Sequence, residues 1–311
     1  MRCLLIGNFG VGNLGDEALK TYFLERFPDV AWTVVSAHPQ GESEVPRLPG
    51  GIRSLFSFRW LRTIGAFRRC EAVVFGGGSL LTDTESLYAC VLWWMHAALA
   101  GFFRKPLHLA FQGIGPFRYG IGERIARSVV RGAATVSVRD RESLDRVNAW
   151  QLNKNIVLTC DPVLWLIKNE KPEVRTENIL VLIPRKNSSE KFTTAAQNAA
   201  SSRDWNEVRI LSLEPGSRRE QLYVRNLAAI VGPRSSVRDV RSLRELLSGI
   251  APASLVVAGR YHGALAALGL GKETKIICQQ KGDKLQSLQS GLNIGPQLSE
   301  IGAIMLHNAI H

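Results

Sequence analysis

What the sequence has little of narrows it first. Cysteine is sparse: five residues (Cys3, Cys70, Cys90, Cys160, Cys278) are scattered and never form CxxC. That excludes a disulfide framework and points to reduced, buried thiols of the cytoplasm. The six histidines lie far apart, none with a neighbour at ligand spacing, so no metal is expected. Acidic residues are outnumbered, 27 Asp/Glu facing 39 Lys/Arg, for a formal net charge of +12. The excess is not a basic tail, since residues 1–165 hold 19 Lys/Arg against 14 Asp/Glu and the remainder holds 20 against 13. No nucleic-acid-reading motif is present and aromatics do not interleave with the basic residues along strands, so nucleic acid is not an expected partner. Anionic small substrates or an anionic membrane surface fit the charge. Low-complexity tracts and fixed-period repeats are also missing. The longest apolar run, Leu87–Phe103, has 17 residues, short of the roughly 20 a membrane span needs. It contains His96 and reads as a buried crossover helix. The chain enters a strand at Cys3–Ile6, so no signal peptide is expected.

What is there is an alternation. Strand-like runs at Arg2–Gly7, Trp32–Ser36, Ala72–Phe75, Leu107–Phe111, Thr135–Val138 and Ile156–Thr159 are separated by helical patterns such as Asp16–Phe27. A polar, proline-bearing break at 168–177 is followed by a second series, Ile179–Ile183, Val208–Leu213, Leu255–Ala258 and Lys275–Cys278. Strands alternating with helices predict parallel sheets covered on both faces. The expected fold class is α/β: an N-terminal Rossmann-like domain over 1–167, a linker at 168–177 and a C-terminal Rossmann-like domain over 178–311. These would be doubly wound domains facing a cleft at their strand C-termini.

Several stretches at those strand ends could carry chemistry. Gly10-Val-Gly-Asn-Leu-Gly15 fits G-x-G-x-x-G, but Asp16 and Glu17 follow at once and would repel a pyrophosphate. Neither a nicotinamide nor a flavin cofactor is expected. Asp16 is either a capping acid or a cleft-facing base. Gly76, Gly77, Gly78 and Ser79 follow a strand, where glycines let backbone N–H groups approach a ligand. Gln112, in Gln112-Gly-Ile-Gly-Pro116, offers an amide to a hydroxyl-rich ligand. Arg139 ends a strand and Asp140 is a plausible N-cap. Arg260 and His262 stand between the strand Leu255–Ala258 and the Ala/Leu-rich run Ala264–Leu268, where a helix start favours an anion. Leu55–Arg69 mixes aromatics with Arg59, Arg62, Arg68 and Arg69. It is either a core-packed helix with a solvated basic face or a peripheral contact with anionic lipid.

In this order Asn13-Leu-Gly-Asp-Glu-Ala18, Gly76-Gly-Gly-Ser-Leu-Leu81, Gln112-Gly-Ile-Gly-Pro116, Ser137-Val-Arg-Asp140, Asp161-Pro-Val163 and Arg260-Tyr-His262 resemble the polysaccharide pyruvyl transferase family. The resemblance spans almost the whole chain. It implies a GT-B-like enzyme that takes phosphoenolpyruvate as co-substrate and needs no cofactor. It would place pyruvate as a ketal on a sugar of a cell-surface polymer or its lipid-linked precursor, in the cytoplasm or at the inner face of the cytoplasmic membrane. Arg139, Arg260 and His262 carry over as donor-site residues. The family adds a lysine after the last strand in a Tyr-Asp-x-Lys-like stretch; this chain lacks the tyrosine there and offers Lys281 or Lys284. Leu285 and Leu288 favour Lys284, since their spacing suits the start of the next helix. His262 would serve as general acid or base and Asp16 as its complement. Two other readings stay open: a nucleotide-sugar glycosyltransferase of the same architecture, and a non-catalytic polymer- or lipid-carrier-binding relative. Acceptor sugar and oligomeric state are not legible.

Overall fold

The computed structural model describes residues 1–84, 86–279, 284–289 and 296–311, with backbone alone at residues 52, 53 and 296. Lys281 therefore lies outside the described residues. In chain order the first series runs β1 (Arg2–Phe9), α1 (Leu14–Arg26), β2 (Ala31–Ser36), β3 (Glu44–Pro46), α2 (Ile52–Leu55), α3 (Leu61–Arg69), β4 (Ala72–Leu81), α4 (Leu87–Phe102), β5 (Leu107–Ile114), α5 (Gly120–Gly132), β6 (Thr135–Val138), α6 (Arg141–Ala149) and β7 (Ile156–Leu158). These strands form one parallel sheet in the order β3-β2-β1-β4-β5-β6-β7.

The second series runs α7 (Val163–Asn169), β8 (Ile179–Ile183), α8 (Glu190–Ala200), β9 (Glu207–Ser212), α9 (Arg218–Val231), β10 (Ser235–Asp239), α10 (Leu243–Ile250), β11 (Leu255–Ala258), α11 (Tyr261–Gly269), β12 (Glu273–Ile276), α12 (Gln286–Gln289) and α13 (Pro296–Ile310). Its strands form a parallel sheet in the order β10-β9-β8-β11-β12.

The central strands are apolar on both faces because helices cover both. In β1, Leu4 and Ile6 join the core under α3 and α4 with Val73, Phe75, Phe67 and Trp93. On the opposite face Tyr22, Phe23 and Phe111 meet edge to face, with ring centroids 5.3–6.2 Å apart. The second sheet buries Leu180, Leu182, Val208, Ile210, Leu255 and Val257 against Phe192, Val224 and Leu227.

The chain divides into two compact units, Met1–Val11, Leu19–Pro162 and Gly295–His311 forming one and Gly12–Ala18 with Val163–Ile294 the other. This departs from a 1–167 and 178–311 split at both ends, for packing reasons. Helix α7 belongs to the second unit, because Leu164 and Ile167 fill the space a side chain at Gly269 would need. Helix α13 belongs to the first unit: Phe111 and Thr159 close over Gly302, and Arg26 pairs with Glu300 at 2.5 Å.

Two strands escaped the sequence reading. β3 has three residues, and β10 is a polar, largely exposed edge strand with no apolar run to betray it. β4 and β5 are longer than expected. Gly77 and Gly78 lie inside β4 at φ +79°, and the register with β5 shifts beyond Gly78. The glycine run is thus a bulged strand rather than a loop after one.

Candidate functional site

In the second sheet the strand order reverses at β8 and β11, which pair directly. The crevice beyond such a switch point is where open parallel sheets bind ligands. Arg260 stands there as N-cap of α11. Its Nε donates to Pro184 O (3.1 Å), Nη1 to Glu214 Oε1 (3.1 Å) and Nη2 to Glu220 Oε2. Three of its five N–H donors are thereby engaged. The Arg260 side chain is 14% exposed, whereas that of Glu220 is fully buried. Glu220 also accepts from Ser212 Oγ (3.1 Å) and Glu214 N (2.8 Å). Burial pushes the Glu214 carboxyl up, but Arg260 and Lys186 outweigh it and the net shift is downward. Arg260 is therefore not a bare cation awaiting an anion. It is a guanidinium held flat by two carboxylates and a carbonyl.

His262 follows in the first turn of α11. Its Nδ1 lies 1.9 Å from where a Cβ on Gly15 would stand. The imidazole thus sits directly over the Gly15 backbone, and only glycine leaves room for it. Asn13 organises this turn: its Oδ1 accepts from Gly15 N (3.1 Å) and its carbonyl from Glu17 N (3.0 Å). Asp16, the next residue, lies in the first turn of α1 and is 9% exposed. The structure thus brings His262 beside the turn that carries Asp16, both in the second unit. Tyr261 packs edge-on against His262 at 5.2 Å. Lys284 is half-buried just before α12, and Leu285 and Leu288 behind it are buried.

The candidates of the first unit are more deeply placed. Arg139 is 3% exposed; its Nη1 donates to Asp161 Oδ2 at 2.7 Å and its Nη2 to Ser79 Oγ at 3.0 Å. A Cβ at Gly113 would strike both Ser79 and Arg139. Asp140 caps α6 by accepting from Ser143 N at 2.7 Å. Gln112 does not offer its amide outward: it is fully buried, and its Nε2 donates to Phe75 O (3.0 Å) and Ala110 O (3.1 Å). Gly76 and Gly77 make room for Leu5, Phe23 and Leu19, so core packing explains them without a ligand. Ser79 alone of that run is partly exposed. Glu214 and Glu220 were missed by sequence reasoning. The only signal was an acid three residues after Ser217, which reads as a capping box. Among the described residues no group of three or more His, Cys, Asp or Glu side chains is placed to hold a metal ion.

Comparison with solved structures gives the fold. A UDP-N-acetylglucosamine 2-epimerase from Rickettsia bellii superposes with a TM-score of 0.59 at 10% identity, covering 99% of this chain and 95% of that one. The UDP-GlcNAc 2-epimerase of Methanocaldococcus jannaschii gives 0.58 at 8% identity, covering 99% of both chains. Anabaena HepE in complex with UDP-glucose gives 0.57 at 11% identity, covering 100% and 98%. The architecture is accordingly the GT-B type, with two Rossmann-like domains. No curated protein sequence matches the chain. The polysaccharide pyruvyl transferase family, by contrast, matches residues 13–274, more than four-fifths of the length. That span takes in Asn13, Gly15, Asp16, Arg139, Arg260 and His262, and the chain belongs to the polysaccharide pyruvyl transferase family.

Proposed function

We propose that this transferase moves pyruvate from phosphoenolpyruvate onto a sugar of a cell-surface polysaccharide or its lipid-linked precursor. It would work in the cytoplasm or at the inner face of the cytoplasmic membrane, without cofactor or metal. The observation that carries the reading is the grouping of Arg260, His262 and the Gly15–Asp16 turn at the switch point of the second sheet. Among the described residues three of the five Arg260 N–H groups find partners, which leaves two for a ligand. Carboxylates and phosphates pair well with such a planar fork. Lys284, or Lys281, adds positive charge for the donor.

The reaction balances without water or redox partner. A proton adds to the methylene carbon of the enol phosphate, making a methyl group and an oxocarbenium-like C2. One sugar hydroxyl attacks C2; the C2–O–phosphate bond breaks and inorganic phosphate leaves. A second hydroxyl closes the ketal; of the two hydroxyl protons one replaces that given to the methylene and the other leaves on the phosphate. His262 supplies the proton to the methylene or removes one from the hydroxyl, and Asp16 takes the complementary role.

Phosphate release from phosphoenolpyruvate with a panel of lipid-linked sugars tests this. The wild type should release phosphate with one acceptor class, and His262→Ala should not while remaining folded. A nucleotide-sugar enzyme is the outcome if UDP or GDP, and not phosphoenolpyruvate, raises the melting temperature. Acceptor binding with no phosphate release would instead mark a non-catalytic relative.

A further inference from the structure

The first unit carries a surface that transfer chemistry does not explain. Six large aromatics are exposed among the described residues: Phe56 (69%), Phe58 (62%), Tyr88, Trp94, Phe102 (77%) and Tyr119. All fall within residues 56–119, though the protein has 24 aromatics spread along its chain.

Two neighbouring elements build this face. Helix α3 buries Thr63, Ala66 and Phe67 and turns Leu61, Arg62, Arg68 and Arg69 outward on its other side. The loop before it holds Phe56 and Phe58 in solvent, with Phe58 at φ +52° and Trp60 Nε1 tied back to Leu55 O at 2.9 Å. Helix α4 lies alongside, Phe67 stacking on Phe103 at 6.4 Å and 19°. The whole of Leu87–Phe102 contains no charged residue. Its inner face buries Cys90, Trp93, His96 and Ala100, but Tyr88, Trp94, Ala98, Gly101 and Phe102 face out. The run expected to be a buried crossover helix is thus a crossover helix with one open apolar face. Tyr88 Oη lies against Gly50, just ahead of α2. Soluble proteins rarely leave aromatics grouped in this way without a use.

The charge around the patch selects the occupant. Residues 53–121 contain eight Lys/Arg and three Asp/Glu. Of those acids Asp83 is buried, accepting from Arg118 N and Tyr119 N, and Glu71 accepts from Arg2 N. Exposed aromatics in a stretch that also exposes Arg62, Arg68 and Arg69 match the interface of an anionic bilayer, where rings enter the headgroup layer and guanidinium groups meet lipid phosphates. No helix among the described residues is long and apolar enough to cross a membrane. We infer that the outer face of α3 and α4, with the loop of Phe56 and Phe58, docks the chain onto an anionic phospholipid surface. This goes beyond the transferase reading and does not need it, since binding is measured without donor or acceptor.

The test is co-sedimentation of the full chain with vesicles of phosphatidylcholine, with or without phosphatidylglycerol. The wild type should pellet with the anionic vesicles, weakly with the neutral ones, and less as salt rises. Phe56→Ser with Phe58→Ser, and separately Arg62→Gln with Arg68→Gln and Arg69→Gln, should each weaken partition about tenfold or more. All of these side chains are exposed, though Arg62 also donates to Glu44 O at 3.3 Å, so circular dichroism should stay at wild-type values and melting temperature close to them. Removing the same charge from the second unit (Arg218→Gln, Arg219→Gln, Arg225→Gln) should leave partition nearly unchanged. No pelleting with anionic vesicles at low salt overturns the inference, as does equal loss in the second-unit control. Sedimentation as a dimer that Trp94→Ser with Phe102→Ser makes monomeric, with no vesicle binding, would assign the face to a second copy instead. Phosphate release with a water-soluble acceptor reports on the transferase reading separately.

Discussion

Each unit contains one arginine and one histidine in a telling place, and the two pairs are treated in opposite ways. In the first unit Arg139 is sealed under Ser79 with Asp161 as counter-ion, and His96 is fully buried in α4. His96 has both ring nitrogens engaged: Nδ1 donates to Leu92 O (2.8 Å) and Nε2 accepts from Leu48 N (3.3 Å). In the second unit Arg260 keeps part of its edge open and His262 rests on a glycine, half-exposed. The same two residue types are internal fasteners in one place and reachable groups in the other. Packing depth, and not residue identity, makes the difference. Substitution in the first unit should therefore injure stability, and in the second should injure turnover.

The largest effect is expected at Arg139. Its loss leaves the Asp161 carboxylate, which has no solvent exposure, without its cation. Arg139→Ala should lower unfolding free energy by about 3–5 kcal/mol, the usual result of breaking a buried pair, as read by urea denaturation. Wild-type stability with lost phosphate release would break the contrast and return Arg139 to direct donor contact.

His96 comes next. Burial lowers its pKa to about 4, outweighing the hydrogen bond to Leu92. The unfolded chain protonates this imidazole below about 6.5 and the folded chain does not until about 4. Its contribution is therefore complete above pH 6.5 and declines as pH falls toward 4, with a limit of about 3 kcal/mol. Denaturation midpoints across that window should fall in the wild type and flatten in His96→Gln.

The smallest effect on stability, but the sharpest on function, belongs to Gly15. A methyl group there requires His262 to leave its seat. Gly15→Ala should retain the fold and reduce phosphate release by about 10²-fold, as displacement of a reacting group by roughly 1 Å can. Unchanged turnover would detach His262 from the chemistry.

The parallel sheets were legible because buried strands read as short apolar runs. Thr135–Val138, Ile179–Ile183 and Leu255–Ala258 fall where the sequence placed them. The edge strand Ser235–Asp239 was not legible, since it is largely exposed and four of its five residues are polar. For the site, the sequence located Arg260 and His262 at the head of a helix, but not what surrounds them. Glu220 reads as an ordinary first-turn acid of α9, and only the fold brings it under Arg260, forty residues on. Gln112 shows the reverse: a polar residue at an expected strand end proves to be inside, because β5 runs on to Ile114.

One consequence follows from where α13 lands. The helix that completes the first unit is encoded after the entire second unit, so a ribosome must synthesise the second unit before the first can close. At synthesis rates of about 5–20 residues per second, Phe111 and Thr159 wait roughly 7–40 seconds for the backbone that will cover them. During that interval the face that α13 will cover stays open to water.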